Sequence, residues 1–417
     1  MNNPTKTAFV HYSAPPTIGG VESVISAHAK IFQKNGYPVI VIAGRGRPSA
    51  LTEGVEFKKI RQLDSQQKTV LEVNRELAEG VVSKSYEALR EKIKHQLERS
   101  LANVENVIIH NIFSKNLNLA ATEAMVLLQK EGKIPNCIAW CHDFSFASQN
   151  DKKTLHEGFP WDFLQIYNPE IKYVVVSCQR QEILSGIFKI PKEKIEVIYN
   201  GFDPDELLGL SNETGRLVSD LELLEADLIV LMPVRITKAK NIEFAMHVTA
   251  ELKSKECHPM VILTGPPDPH DPDNMTFFRN LKKLRKDLRL EKNFKFLFDE
   301  NPESGEPNYL DMNSVADLYR VCDMVFMPSH HEGFGMPVLE AGFLGKPVFS
   351  TRIPASVEIG GKNIHMISAS FDAKDTAQQI LDWASKNEIH LFRLKTRQNY
   401  VWQKIFNNQI RPLLVDN

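Results

Sequence analysis

Short apolar runs alternate with helical patterns along the first part of the chain. Thr7 to His11 has the composition of a strand. Apolar residues then recur at helical spacing from Val21 to Phe32, and Gly36 ends this helix. Pro38 to Ala43 is the next strand-like run. This alternation of strand and helix predicts a parallel sheet with helices on both of its faces.

Three further strand candidates lead into polar or turn residues: Val107 to His110, Asn136 to Cys141 and Tyr173 to Ser177. Ligands of α/β proteins gather at such strand ends. His142 comes directly after the second run, which makes it a candidate ligand-contact residue. The neighbouring Asp143 can orient its imidazole or cap the next segment. His142 can equally be a histidine that packs under the loop.

The second part of the chain restarts the same pattern. Asn200 and Gly201 form a turn, and the acidic, poorly periodic stretch 203–225 indicates a connection between two domains. We therefore expect a second α/β domain after this stretch. Its strand candidates are Leu228 to Pro233, Val261 to Leu263 and Met324 to Met327.

Composition agrees with two domains and narrows the function. The 417 residues exceed what one hydrophobic core usually supports. Lys and Arg total 50 and Asp and Glu total 52, which gives no case for nucleic-acid binding. The N-terminus lacks a basic segment followed by a long apolar run, and no later run could span a bilayer, so we expect a cytoplasmic protein. The five cysteines lie mostly in apolar strands, which favours buried free thiols over disulfides or a zinc site.

The stretch 328–351, PSHHEGFGMPVLEAGFLGKPVFST, is the most informative part of the sequence. Pro337 suits the first turn of a helix, where its missing N–H would be unpaired anyway. Before it, Gly333 and Gly335 let the backbone approach a ligand closely. The free N–H groups and the positive dipole end at a helix start favour phosphate oxygens. The stretch therefore predicts a phosphate-binding turn.

Two glutamates flank this turn, Glu332 in the loop and Glu340 one turn into the helix, so the pattern predicts a donor site for a sugar nucleotide. The pair is separated by seven residues inside EGFGMPVLEA and is followed by GKPV. In this it resembles the signature of glycosyltransferase family 4, retaining enzymes of the GT-B fold among the glycosyl transferases group 1. The alternative is an ordinary strand, turn and helix with two solvated surface glutamates.

The resemblance implies an architecture: an α/β protein of two Rossmann-like, parallel-sheet domains that face each other across a cleft. Residues 1–205 would bind the acceptor, and residues 206–394 would bind the nucleotide sugar. Within residues 395–417, a final helix around Lys395 to Leu414 would return to brace the first domain.

The resemblance also assigns the donor-binding residues. Glu332 would bind hydroxyls of the donor sugar as a catalytic residue, and Glu340 would accept hydrogen bonds from the ribose diol. The Thr264-Gly265 turn is expected beside the nucleotide base. The other donor-binding residues are expected in the turn and the helix after Glu332: Gly333, Phe334, Gly335, Met336, Val338 and Leu339.

Two cations follow the strand candidate at Leu228 to Pro233. Arg235 and Lys240 lie in PVRITKAKNIE, where the planar Arg fork and the Lys point charge can neutralise a diphosphate. The resemblance makes them catalytic ligands that stabilise the departing nucleoside diphosphate. Lys238 is a nearby competitor for this role, and a solvated surface lysine is the alternative.

Another glycine-rich loop, SAPPTIGGVE, follows the first strand. It lacks the spaced glycines of the dinucleotide fingerprint, which removes the main support for a nicotinamide dehydrogenase. In the resembling family, glycines that match Gly19 and Gly20 bring amides against the donor diphosphate and the acceptor; a simple tight turn is the alternative. A family histidine that matches His142 faces the transferred sugar, whereas His11 and His110, also at strand ends, are weaker candidates.

Two polar segments raise the question of further partners. The loop GPPDPHDPDN contains Asp268, His270, Asp271 and Asp273, but its composition fits turn chemistry better than a metal site. Residues 279–295 carry eight cations against two anions. They predict either an exposed amphipathic helix, which we favour, or a contact with an anionic acceptor or a lipid surface.

The sequence thus predicts a retaining hexosyltransferase that moves a hexose from a nucleoside-diphosphate sugar to an acceptor hydroxyl. The acceptor can be a sugar, a small molecule or a lipid-linked compound, and any membrane contact is expected to be weak and peripheral. No cofactor, divalent metal or nucleic acid is expected. Two alternatives use the same site: a GT-B sugar-nucleotide epimerase, and a non-catalytic protein that binds a nucleotide sugar. The donor base, the sugar, the acceptor and the oligomeric state stay open.

Overall fold

The computed structural model describes residues 4–147, 151–299 and 310–415. The chain divides into two compact units. The N-terminal unit comprises Met1–Phe202 and Tyr400–Asn417, and the second unit comprises Asp203–Asn399.

A seven-stranded sheet forms the centre of the N-terminal unit, with the strand order β3-β2-β1-β4-β5-β6-β7 and parallel pairing throughout. Its central strands are buried along their whole length, as their apolar runs predict. The strands are β1 (Thr7–Ser13), β2 (Val39–Arg45), β3 (Glu56–Lys59), β4 (Asn106–His110), β5 (Asn136–Cys141), β6 (Ile171–Val175) and β7 (Ile195–Val197). The helices are α1 (Gly20–Lys34), α2 (Lys68–Ala78), α3 (Lys84–Ser100), α4 (Leu119–Lys130) and α5 (Cys178–Phe188).

The second unit repeats this plan with a six-stranded parallel sheet in the order β10-β9-β8-β11-β12-β13. Its strands are β8 (Leu228–Met232), β9 (Pro259–Leu263), β10 (Phe294–Phe296), β11 (Met324–Met327), β12 (Val348–Thr351) and β13 (His365–Ile367). Its helices are α6 (Pro204–Leu208), α7 (Asn212–Asp220), α8 (Ile242–Ser254), α9 (Asn274–Asp287), α10 (Met312–Val321), α11 (Met336–Phe343), α12 (Pro354–Gly360), α13 (Ala373–Lys386) and α14 (Glu388–Asn399). The prediction of two Rossmann-like, parallel-sheet α/β domains is confirmed.

The stretch 203–225, which we expected to be a connection, is instead folded into the second unit. Asp203 caps α6 and Ser211 caps α7 through their side chains, which accept backbone N–H groups. Val218 and Leu223 then lie in the core of the unit. The short, strongly capped helices hide the helical period that a longer element would show in the sequence.

The end of the chain returns to the N-terminal unit, but not as one helix. Phe202 pairs with Val401 in an isolated parallel bridge, and α15 (Trp402–Ile405) follows. A short π-helix (Phe406–Ile410) and a 3-10 turn (Arg411–Leu413) complete this segment. Its apolar side chains lie in the core of the unit: Trp402, Ile405, Phe406 and Ile410.

Three smaller expectations can be compared with the structure. The basic helix α9 ends at Asp287, so only the first part of residues 279–295 is helical. Its buried face is formed by Phe277, Phe278 and Leu281. Cys137, Cys141 and Cys322 are buried and all five thiols are free, whereas Cys178 is exposed, contrary to the expectation of burial. Within the described part of the chain, no helix combines the length and the apolar character needed to cross a bilayer.

Candidate functional site

The strand order of the second unit creates a natural ligand-binding position. The chain runs from β8 to β9 on one side and then crosses back to place β11 on the other side of β8. Ligands of open α/β sheets bind at the carboxyl ends of the strands where the order reverses in this way. Arg235 and Lys240 follow β8, and Glu332 follows β11, so three predicted site residues lie at this reversal.

Lys240 and Glu332 form the central contact of this position. The Lys240 Nζ lies 2.7 Å from both Oε1 and Oε2 of Glu332. The Ser329 hydroxyl donates a second hydrogen bond to Oε1 at 2.6 Å. The Lys240 and Glu332 side chains are 21% and 11% exposed, so the pair is sheltered but still within reach of a ligand.

The backbone around this pair is tied across the two strand ends. His330 N donates to the carbonyl of Ala239 at 2.8 Å, which joins the loop after β11 to the loop after β8. Gly335 adopts the left-handed conformation with φ of +94°, as the N-cap of α11, and Pro337 lies in the first turn as predicted. The turn after Glu332 therefore leads directly into the N-terminus of α11, where the helix dipole is positive.

Glu340 is held by a residue that the sequence did not single out. The Tyr319 hydroxyl, which is buried, donates to Glu340 Oε2 at 2.6 Å. Burial and this hydrogen bond both raise the pKa of Tyr319, so the phenol stays protonated and acts as the donor. Tyr319 reaches Glu340 from the end of α10, and no sequence spacing connects the two residues.

The turn after β9 approaches the loop after β8 very closely. Gly265 N donates to the Val234 carbonyl at 3.0 Å, and a side chain at Gly265 would place its Cβ 2.5 Å from that oxygen and 2.8 Å from the Arg235 Cα. Only glycine fits there. Thr264 is buried, and Arg235 is exposed with no ion pair to any side chain among the described residues.

The remaining residues predicted to bind the donor differ in how accessible they are to a ligand. Phe334, Met336 and Leu339 are exposed by 55%, 54% and 43%, so their side chains are accessible. Gly333 is open, because no atom beyond its chain neighbours lies within 4 Å of the place that a Cβ would occupy. Val338 lies in the core of the unit, so a ligand could reach only its backbone.

The N-terminal unit has the same kind of strand reversal, between β1 and β4. The loop after β1 carries Gly19, the N-cap of α1, and Gly20, its first residue. Glu22 is buried beneath Gly19 and accepts a hydrogen bond from the Ser13 hydroxyl. A side chain at Gly19 would collide with the Glu22 carboxylate, whereas the space at Gly20 is open.

His142 lies at the end of β5, and histidines surround it. Its Nε2 lies 3.1 Å from His110 Nδ1, and its backbone N–H donates to the Asn111 side chain at 2.7 Å. Burial lowers the pKa of His142 to about 3, and the nearby His11 adds to this, so the ring is neutral at pH 7. Asp143 does not orient the imidazole, because its carboxylate instead pairs with Arg180 at 2.8 Å.

The proline-rich loop after β9 uses its aspartates in local turns. Asp268 Oδ1 accepts from His270 N at 3.1 Å, and Asp271 Oδ1 accepts from Asp273 N at 2.9 Å. Such contacts are the ordinary chemistry of Asx turns. No group of three or more potential metal ligands is found among residues 4–147, 151–299 and 310–415.

Predicted site residues therefore form two groups, each within one unit. Gly19, Gly20 and His142 belong to the N-terminal unit, and the residues from Arg235 to Glu340 belong to the second. The sequence analysis did not single out Ser329 and Tyr319, and it gave His110 only as a weaker candidate. In the sequence, His110 was marked as a candidate by its place at a strand end. No feature of the sequence marked Ser329 as a candidate.

Comparison with known proteins gives several matches to sugar-transferring enzymes. Mannosylglucosylglycerate synthase from Petrotoga mobilis is 28% identical over 291 residues, and the match covers 63% of each chain. The protein of the same name from Thermotoga maritima is 22% identical over 366 residues, which cover 82% of this chain and 79% of that one. The chain thus spans less than two thirds of the Petrotoga relative.

A solved structure of the Anabaena protein HepE, in complex with UDP and glucose, aligns with 98% of this chain and 99% of its own. Its identity is 16% and the TM-score is 0.35. The match to a family is more specific. Residues 217–400, which include the Lys240–Glu332 pair and both glutamates, match the family described as glycosyl transferases group 1. This segment of the second unit is therefore similar to the glycosyl transferases group 1.

Proposed function

We propose that the protein transfers a hexose from a nucleoside-diphosphate sugar to an acceptor hydroxyl and retains the anomeric configuration. The observation that carries this proposal is the Lys240–Glu332 pair at the strand reversal of the second unit, beside the start of α11. A cation, a carboxylate and a helix N-terminus that follow these two strand ends suit a ligand that has both phosphates and hydroxyls.

The cations and the turn would serve the leaving group. Negative charge grows on the diphosphate as its bond to the sugar breaks, and preorganised positive groups stabilise this charge in the transition state. Lys240, the exposed Arg235 and the amides of the Gly333–Met336 turn are the groups that can do so. Lys240 would exchange Glu332 for phosphate oxygens, which leaves Glu332 free for the sugar.

The two glutamates would hold the two ends of the donor. Glu332 would accept hydrogen bonds from hydroxyls of the hexose. Glu340, oriented by Tyr319, would accept hydrogen bonds from the ribose diol. Both carboxylates bind hydroxyls in this scheme, so neither serves as a covalent nucleophile. We therefore propose that the acceptor hydroxyl attacks the sugar from the side of the leaving group, within a short-lived ion pair. The departing phosphate would take the acceptor proton.

The N-terminal unit would supply the acceptor side of the reaction. Gly19 and Gly20 offer backbone amides at the start of α1, close to where Glu22 fixes the loop. His142 is neutral, so it would contact a sugar through a hydrogen bond and not through charge.

The reaction as proposed needs no divalent metal. Lys240, Arg235 and a helix start already bring positive potential to the diphosphate, which is the role a magnesium ion would otherwise play. The aspartates of the proline-rich loop are engaged in local turns, which supports the same view.

A thermal-shift screen tests the proposal. A ligand that binds only the folded state raises the unfolding temperature, so nucleoside diphosphates and their hexose conjugates should stabilise the protein. The stabilising conjugate is then incubated with and without candidate acceptors. Consumption that depends on the acceptor supports a transferase. Conversion of the sugar without an acceptor would identify an epimerase, and stable binding without any turnover would identify a binding protein.

A further inference from the structure

Three histidines meet at the carboxyl edge of the N-terminal sheet. His11 comes from β1, His110 ends the neighbouring β4, and His142 follows β5. Their side chains are no more than 7% exposed. The ring centroids of His110 and His142 lie 5.4 Å apart in a stacked arrangement, and those of His11 and His110 lie 6.4 Å apart.

The tautomer of His11 follows from its hydrogen bond. Its Nδ1 lies 2.9 Å from the backbone carbonyl of His110, and a carbonyl oxygen can only accept. Nδ1 therefore carries the proton. Burial lowers the pKa of His11, so the ring is neutral at pH 7 and its Nε2 is an unprotonated acceptor.

The contact between His110 and His142 leaves two arrangements. Both rings are neutral, since burial lowers both pKa values, so a single proton lies between His110 Nδ1 and His142 Nε2. If it came from His142, the proton of His110 would be on Nε2. That atom is buried and has no hydrogen-bond partner in the described structure. Orphaned buried N–H groups are rarer than orphaned acceptors, so donation from His110 is the favoured arrangement.

We propose that His110 is a positioning residue that fixes His142 with its proton on Nδ1, so that His142 donates a hydrogen bond to a ligand hydroxyl. The link to a ligand rests on the proposed function; the tautomer does not. Because His142 Nε2 accepts from His110, its only remaining proton is the one on Nδ1. Without His110, either nitrogen of His142 could carry the proton.

This arrangement suits a hydroxyl-bearing ligand. His11 presents an acceptor at Nε2 and His142 presents a donor at Nδ1, both from rings that stay neutral. A hydroxyl is both donor and acceptor, so a hydroxyl of a sugar or another polyol matches the free nitrogen of either ring. A phosphate, which only accepts at full ionisation, can use His142 but gains nothing from His11.

Nitrogen NMR of the protein labelled with ¹⁵N-histidine tests the tautomer without any assay of activity. Protonated and unprotonated ring nitrogens have separate shifts, and His142→Gln identifies the signals of His142. We expect a neutral His142 with its proton on Nδ1 at pH 7 in the wild type. A proton on Nε2, or a mixture of the two tautomers, would overturn the proposal.

Two amide variants separate positioning from simple packing. The amide of Asn reaches the place of His Nδ1, and the amide of Gln reaches the place of Nε2, so His110→Asn can still donate to His142 whereas His110→Gln cannot. We expect His110→Asn to retain the wild-type tautomer of His142. His110→Gln should give a mixture and lower kcat/KM for sugar transfer on the order of tenfold, the scale of one lost oriented hydrogen bond.

The thermal unfolding midpoint of each variant shows whether it is folded. If both variants keep the wild-type tautomer, His110 does not position His142. If the tautomers differ but kcat/KM is equal, the role toward the ligand is wrong. If the wild type transfers no sugar, the proposed function fails, and the NMR spectrum still decides the tautomer.

Discussion

At the scale of single residues, Lys240 and Glu332 form an ion pair in which the two charges neutralise each other. The Lys240 Nζ is equally close to both carboxylate oxygens of Glu332, at 2.7 Å. Under the proposed function, a diphosphate would compete with Glu332 for Lys240. This competition would weaken phosphate binding. Glu340 would not take part in it, because its hydrogen-bond partner is Tyr319.

The two glutamates should consequently respond differently to mutation. Glu340→Ala should weaken the binding of the nucleoside diphosphate by about tenfold or more, because hydrogen bonds to a charged group contribute about 1.5–3 kcal/mol. Tyr319→Phe, which frees Glu340 without removing it, should give a smaller loss. Glu332→Gln should bind the diphosphate at least as well as the wild type and yet turn over more slowly.

Isothermal calorimetry with the nucleoside diphosphate alone measures these affinities. Equal losses in Glu340→Ala and Glu332→Gln would show that the roles are not divided between the two glutamates in this way.

The sequence could single out Glu332, Glu340 and the cations as candidates, but it could not predict their hydrogen-bond partners. The spacing of Glu332 and Glu340 and the cations after β8 were visible in the chain. Ser329 and Tyr319 contact the glutamates through the fold, and a serine or a tyrosine beside a strand or a helix end has many other uses. For Asp143, its position next to His142 in the sequence suggested a contact between the two side chains. In the structure, Asp143 forms an ion pair with Arg180 instead.

At the scale of elements, the turns after β8 and β9 are locked together by Gly265. Gly265→Ala would place a Cβ 2.5 Å from the Val234 carbonyl, and the strand ends must move apart to accept it. We expect a loss of about 1–3 kcal/mol in the unfolding free energy of the second unit and weaker binding of the diphosphate, since Arg235 lies in the displaced loop.

Gly342→Ala is a matched control for this change, because it lies on α11 and nothing outside the backbone of that helix comes within 4 Å of the place that its Cβ would take. Because alanine has a higher helix propensity than glycine, Gly342→Ala should leave the unfolding free energy unchanged or raise it by up to about 1 kcal/mol. Denaturant unfolding and calorimetry measure both variants. A Gly265→Ala protein with wild-type stability and affinity would contradict the close approach of the two turns.

The stability of the N-terminal unit should depend on pH through a buried histidine of α1. His28 on α1 is buried against Trp140 and Trp402, and burial with the nearby His142 lowers its pKa to about 3. The unfolded chain binds a proton at this residue near its ordinary pKa, about 6.5. Between about 6.5 and 3 the unfolded state therefore binds more protons, so the unfolding free energy falls as the pH is lowered.

His28→Leu should flatten this dependence by up to about 1.4 kcal/mol per pH unit, the contribution of one proton. Tryptophan fluorescence during urea unfolding reports mainly on the N-terminal unit, which holds Trp140, Trp161 and Trp402. His247→Leu, at an exposed position of α8, is the control and should keep the wild-type slope. An unchanged slope in His28→Leu would show that His28 does not carry the effect.

Most helices and strands could be predicted from the sequence. The predictions that were wrong have a common cause. β5 and β11 have the predicted bounds because their apolar runs end at polar residues. The segment 203–225 was predicted to be a connection, and the returning segment was predicted to be one helix, because the helices there are short. Too few turns are present for a period to show, and capping residues and tertiary contacts determine these helices instead.

At the scale of the whole molecule, the chain completes the N-terminal unit only with its last residues. Phe406 is fully buried, with its ring centroid 5.0 Å from that of Phe32 and 5.7 Å from that of Tyr37. Phe406→Ala should lower the unfolding free energy of the N-terminal unit by about 3–5 kcal/mol.

Phe343→Ala serves as its control, because Phe343 is 92% exposed and its loss should change stability by no more than about 0.5 kcal/mol. Urea unfolding followed by tryptophan fluorescence compares the two variants. If Phe406→Ala were as stable as Phe343→Ala, the returning segment would not be part of the core.

The most direct test of the account is the rate of nucleoside-diphosphate release from the stabilising sugar donor, measured with its acceptor in excess chelator. We expect the wild type to remain active, and Lys240→Ala and Arg235→Ala each to lose on the order of a hundredfold or more, the scale of one lost transition-state contact. Lys238→Ala, the neighbouring exposed lysine, should retain near wild-type activity. Abolition by chelator with recovery on adding magnesium, or near-normal release by both Lys240→Ala and Arg235→Ala, would contradict the account.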